Sequence, residues 1–156
     1  MAKKRGVAST PARTRAGLDM SALAGTFAYK FNGYAMLPHR PGPFFLAGLG
    51  KFQIDASGNV TGAHRSTFTS IQGMGATLKT GAYKLSGTLN VTNDGNGEAD
   101  ILFSKTSGDG NNVKGQFYVL TFGHGERLWM ISSGGVVPET HEAADELVTL
   151  EAVRVA

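Results

Sequence analysis

The chain of 156 residues is long enough for one domain with a sizeable core, and 41% hydrophobic against 17% charged residues is the balance of a globule. It has no cysteine, which excludes disulfides, thiolate metal sites and a cysteine nucleophile and fits a reducing, cytoplasmic setting. The net charge of +3 belongs to one end, because residues 1–19 hold five of the 15 basic residues and one of the 12 acidic ones, leaving the remainder near −1.

That end, residues 1–21, predicts a disordered basic tail, and residues 22–156 a single β-barrel domain. No apolar stretch follows the basic opening, so it does not read as a secretory signal, and no run is long enough to be a transmembrane segment. From Leu23 onward short β-prone runs are separated by Gly, Asn, Asp and Ser. The first, Thr26–Tyr34, alternates Phe27, Tyr29 and Phe31 against Ala28, Lys30 and Asn32. A loop with Pro38, Pro41 and Pro43 follows, then Phe44–Ile54, with Leu46, Gly48, Gly50, Phe52 and Ile54 on one face.

The turn DASGN (55–59) leads into Val60–Ile71, where Val60, Gly62, His64, Ser66 and Phe68 share a face. QGMG (72–75) breaks that run before Thr77–Val91, which aligns Tyr83, Leu85, Gly87, Leu89 and Val91. NDGNG (93–97) is a hairpin into Glu98–Ser104, and SGDGNN (107–112) turns the chain into Val113–Phe122. GHGE (123–126) precedes Arg127–Ser133, and Trp129 is expected inside, with Arg127 and Ile131. The loop GGVVPETHEAADE is the one place where a helical turn is expected, after Pro138, and Leu147–Val155 closes the chain.

Local antiparallel connections exclude a βαβ architecture. A flat meander of this length leaves two unpaired edges and a wet apolar face, and the Greek-key crossovers of a two-sheet sandwich need longer loops. The expected fold is therefore all-β, a single antiparallel up-and-down β-barrel of about eight strands.

The segment LAGTFAYKF (23–31) resembles the opening of calycin-type barrels, the lipocalins and avidins, with Gly25-Thr26-Phe27 in place of their Gly-x-Trp triplet. Together with GKFQIDASGNVTG (50–62) it also looks like a group of uncharacterised bacterial barrel proteins. The resemblance implies a lipocalin-like barrel that carries a small apolar ligand, and some related-looking barrels are cyclases. It further implies that a basic residue of the last strand packs over the first-strand aromatic, a place Arg154 can fill.

No catalytic or metal motif emerges, and no cofactor is implied. HEAAD (141–145) lacks the second imidazole of H-E-x-x-H, and DGNGEAD (94–100) lacks the glycine and final Glu of a calcium loop. His39, His124 and His141 fall in loops, whereas His64 falls in a strand beside Ser66. If that face points inward, Tyr29, His64, Phe68 and Tyr83 are the candidate ligand-binding residues of an apolar lumen. The same side chains also suit a barrel plugged by its own core, and a register slip of one residue exchanges His64 for Arg65. Three functions stay open: a binding protein for a small hydrophobic ligand, a cyclase or isomerase with His64 or Tyr29 as proton donor, and an interaction protein, a homodimer through an outer face or edge. The tail's cations without interleaved aromatics do not support sequence-specific nucleic-acid binding.

Overall fold

The computed structural model describes residues 18–36, 44–72, 75–143 and 145–156. A short helix α1 (Met20–Leu23) precedes β1 (Gly25–Met36), β2 (Phe44–Ile54), β3 (Asn59–Gln72), β4 (Gly75–Val91), β5 (Asn96–Gly108), β6 (Val113–Phe122), β7 (Arg127–Val137), β8 (Glu142–Ala143) and β9 (Asp145–Arg154). Each of β1 to β7 pairs antiparallel with the next, and β9 pairs with both β7 and β1. The sheet closes on itself as an eight-stranded up-and-down barrel, with β8 as a two-residue ribbon on the end of β7. Closure removes both edges, as the uncovered apolar face required.

Residues alternate between lumen and surface along each strand. Phe27 and Tyr29 on β1, Phe52 and Ile54 on β2, Leu85 and Leu89 on β4, and Leu150 and Ala152 on β9 are all buried. His64 and Ser66 are buried on β3 while Arg65 is exposed, so the register is the one that turns the imidazole inward.

The basic tail lies outside the described residues up to position 17. Leu18 and Met20 pack against the core, and Asp19 caps α1 by accepting from the Ala22 amide at 2.9 Å. Helix therefore forms before the first strand and not after Pro138, where residues 138–141 make a turn that feeds β8. Four residues are too few to show helical periodicity, so a capping Asp is the only sequence signal α1 leaves. The proline loop and His39 lie outside the described residues, as do residues 73 and 74 of the QGMG break.

Trp129 is not in the core. Leu128, Met130 and Ser132 face the lumen, and Trp129 is 55% exposed with Ile131 and Arg127 beside it on the outer surface. The segment LWMI is apolar at every position, so alternation does not tell its faces apart; pairing of Leu128 with Ala152 across β7 and β9 does. Its ring leans on Phe122 with centroids 4.7 Å apart. Because Trp129 is the sole tryptophan, intrinsic fluorescence of the folded protein is expected to be red-shifted and quenchable by iodide. Urea will barely move the emission maximum, and Trp129→Thr, which removes that reporter, will cost no more than about 1 kcal/mol in a urea titration followed by circular dichroism.

Candidate functional site

The two ends of the barrel differ. At the end that carries α1, Leu23, Phe27, Ile54, Val60 and Leu128 are almost wholly buried and fill the lumen. Arg154 closes the last gap from β9. Its Nη1 donates to Ala24 O at 2.6 Å, and its Nη2 donates to Ala22 O at 2.6 Å and Gly125 O at 3.2 Å. The guanidinium carbon stands 5.0 Å from the centre of the Phe27 ring, and Nε lies 3.3 Å from Glu126 Oε1. The arginine-on-aromatic contact expected from the sequence is present.

At the opposite end the described residues leave a hollow. A cavity of about 170 Å³ runs into the lumen between the ends of the strands. Its wall is apolar for the most part, from Phe31, Phe44 and Phe68 to Phe103, Phe117 and Val148. Tyr29, His64, Phe68 and Tyr83, the four residues singled out from the sequence, all line it.

Tyr29 and His64 form a single unit. The phenol oxygen lies 2.6 Å from His64 Nδ1, across two strands. Burial pushes the imidazole down to about 4 and the phenol well above its ordinary range, so both are neutral near pH 7. The phenol O–H then donates to an unprotonated Nδ1, which leaves the ring proton on Nε2. Phe31, Tyr83 and Phe103 surround the imidazole, each with its ring centre 5.1 Å away. Tyr83 in turn donates to Asp109 O at 3.2 Å, and burial raises its hydroxyl above the usual phenol range.

Glycines on β2 make room for this pair. A Cβ on Gly50 would lie 2.5 Å from His64 Cβ and 2.6 Å from Tyr29 Cε1, and one on Gly48 would lie 2.3 Å from Phe31 Cε1. No larger residue fits between β1 and β3 at that level, so two positions that look like strand breakers are what lets two rings meet.

The sequence reading passed over Glu146, which also lines the cavity. Burial lifts its carboxyl to about 7. Ser132 holds the backbone here: its Oγ donates to Glu146 O at 2.7 Å and accepts from the Val148 amide at 2.8 Å. It thus stands in for the β7–β9 ladder, whose last pair is Ile131 with Thr149. Alternation could have shown Glu146, because it continues the inward series Ala152, Leu150, Val148 by one step of two.

The other sequence candidates do not assemble. Among the described residues no group of three or more His, Cys, Asp or Glu side chains could hold a metal ion. His124 and His141 sit in turns with left-handed backbone at φ 58° and 57°. Asp94 spends its carboxylate on its own hairpin, accepting from the Asn96 amide at 3.1 Å and Asn96 Nδ2 at 2.9 Å. Among the described residues no helix is long and apolar enough to cross a membrane. Set beside protein-family models, curated proteins and solved structures, the chain matches none of them.

Proposed function

We propose that this protein is a calycin-like binding protein that takes one small hydrophobic ligand into the open end of the barrel. The observation that carries this is the hollow lumen, about 170 Å³ with a mostly apolar wall and a few convergent polar groups. An apolar cavity of ~150 Å³ holds benzene, so the space suits a single ring with a short substituent. The up-and-down barrel, the sealed end and Arg154 over Phe27 support the calycin-like comparison. Fold alone would not.

Binding accounts for the polar groups better than catalysis by His64 or Tyr29. A proton donor at neutral pH works best with a pKa near the operating pH. Burial moves the imidazole to about 4 and the phenol upward, away from that range. As neutral partners in a hydrogen bond they instead give the cavity floor a fixed shape.

Benzyl alcohol, as a neutral single-ring probe, is expected to raise the melting temperature. At a hundredfold excess over its dissociation constant the stabilisation is about 2.7 kcal/mol. Ala35 lines the cavity and is buried, so Ala35→Phe will occupy the space and abolish the shift. A melting temperature that responds to no single-ring compound up to its solubility limit would overturn the proposal.

A further inference from the structure

The described wall of the lumen offers an anion no counter-charge. Among the described residues that line it there is no lysine or arginine. Among the same described residues the one imidazole is buried and already accepts the Tyr29 hydroxyl at Nδ1. The one carboxyl among the described lining residues is Glu146, for which the structure gives no ion-pair partner among the described residues. The remaining wall is dominated by aromatic rings, whose faces carry negative charge density and attract cations.

The two features are arranged in depth. Glu146 faces Ala35 across the β1–β9 ladder, whereas Tyr29 faces Ala152, six residues further along β9. That separation is on the order of 20 Å along the strand, so the carboxyl stands towards the mouth and the Tyr29–His64 pair towards the floor. A molecule with a positive head and an apolar body matches this order, and a carboxylate or phosphate head does not.

We propose that the ligand is a small arylalkyl or alkyl amine, bound as its ammonium ion with the charge on Glu146 and the apolar body among the rings of Phe31, Phe68, Tyr83 and Phe103. This rests on the lumen being a binding site and names the chemistry that site selects. Among the described residues, the titratable groups that share the cavity with Glu146 are Tyr29 from β1, His64 from β3 and Tyr83 from β4, and the lining residues of β2, β5, β6 and β7 are uncharged. With burial holding the empty site's carboxyl near 7, a cation that requires the carboxylate drives out the proton. Amine binding therefore strengthens as pH rises from about 6 to about 8, a range in which an alkyl amine stays protonated.

Phenethylamine, phenethyl alcohol and hydrocinnamate share one ring and differ in head charge, and calorimetric titration of the full chain separates them. At about pH 7.5 the amine is expected to bind about tenfold or more tighter than the alcohol, with hydrocinnamate weakest. Glu146→Gln is expected to remove that preference, weakening the amine about tenfold while leaving the alcohol within about twofold. If the alcohol binds as well as the amine, or Glu146→Gln leaves the amine unaffected, the amine assignment is overturned and the lumen remains a neutral-ligand site. If none of the three binds, the assignment fails together with the function proposed above.

Discussion

Glu146→Gln will stabilise the empty protein at about pH 8, by up to about 3 kcal/mol, and will expose a pH dependence that the parent hides. Two buried groups act against each other. His64 has a folded pKa of about 4 against 6.5 for the free side chain. Its folded state binds fewer protons, so stability is intact above 6.5 and is lost as pH falls towards 4. Glu146 has a folded pKa of about 7 against 4.5. Its folded state binds more protons, so its contribution is intact below 4.5 and is lost as pH rises through 7.

The two losses are of similar size, up to about 3 kcal/mol each, and nearly cancel across that window. The parent is therefore expected to show a shallow profile between pH 4 and 7 in urea titrations. Glu146→Gln will show stability falling steadily with acid, and His64→Phe the reverse slope. The turn carboxylates Asp19, Asp55 and Asp94 are held low by hydrogen bonds within their turns, so they lose stability only below 3.8 and do not disturb the comparison. A glutamine variant with the parent's profile would show that Glu146 is ionised in both states.

Phe27→Ala is expected to cost about 3–5 kcal/mol, the largest single loss in the protein. The ring is fully buried and stacks on Phe52 at 5.4 Å between centroids. Removing it hollows the sealed end and takes the flat surface from beneath Arg154. Arg154→Ala will cost about 3 kcal/mol, because three backbone carbonyls lose a charged donor at once. Arg154→Lys will recover little of this, since a single ammonium does not span Ala22, Ala24 and Gly125 and offers no planar face to the ring. For a chain of this length each kcal/mol shifts the melting temperature by about 2–4 °C, so both variants are measurable by calorimetry. The double variant should lose less than the sum of the two; additivity within about 0.5 kcal/mol would mean that Arg154 does not act through the ring.

Much of this was legible in the residues. The face groupings of β1 to β5 followed from strict alternation, as in Phe27, Tyr29, Phe31 and Val60, Gly62, His64, Ser66, because a half-buried strand must separate its two faces; that the His64 face turns inward was settled by the register. Barrel closure followed from short turns and an apolar face with no helix to cover it. The Arg154–Phe27 contact was named only through the resemblance to calycin-type barrels, and the pairing of β1 with β9 is what brings the two together.

Failures came where a segment carries no contrast or where contacts are distant in sequence. LWMI is apolar on both sides, so Trp129 was placed by pairing with β9 and not by its own pattern. α1 is too short for periodicity and exists because Asp19 caps it and Arg154 grips its end. Glu146 was missed because a charged residue just before the expected start of the last strand reads as a loop, although the alternation of Val148, Leu150 and Ala152 already carried the inward series to it.

The sequence by itself determined that the chain is all-β, that it closes, and which residues share a face on most strands, because alternation and turn chemistry are local properties. Only the tertiary structure decided that one end is sealed and the other hollow, that Tyr29 reaches His64, and that a carboxyl stands in the wall. Those depend on how far each strand is staggered around the barrel and on the room left by Gly48 and Gly50, and volume left unfilled is a property of the whole packing that no single stretch of residues contains.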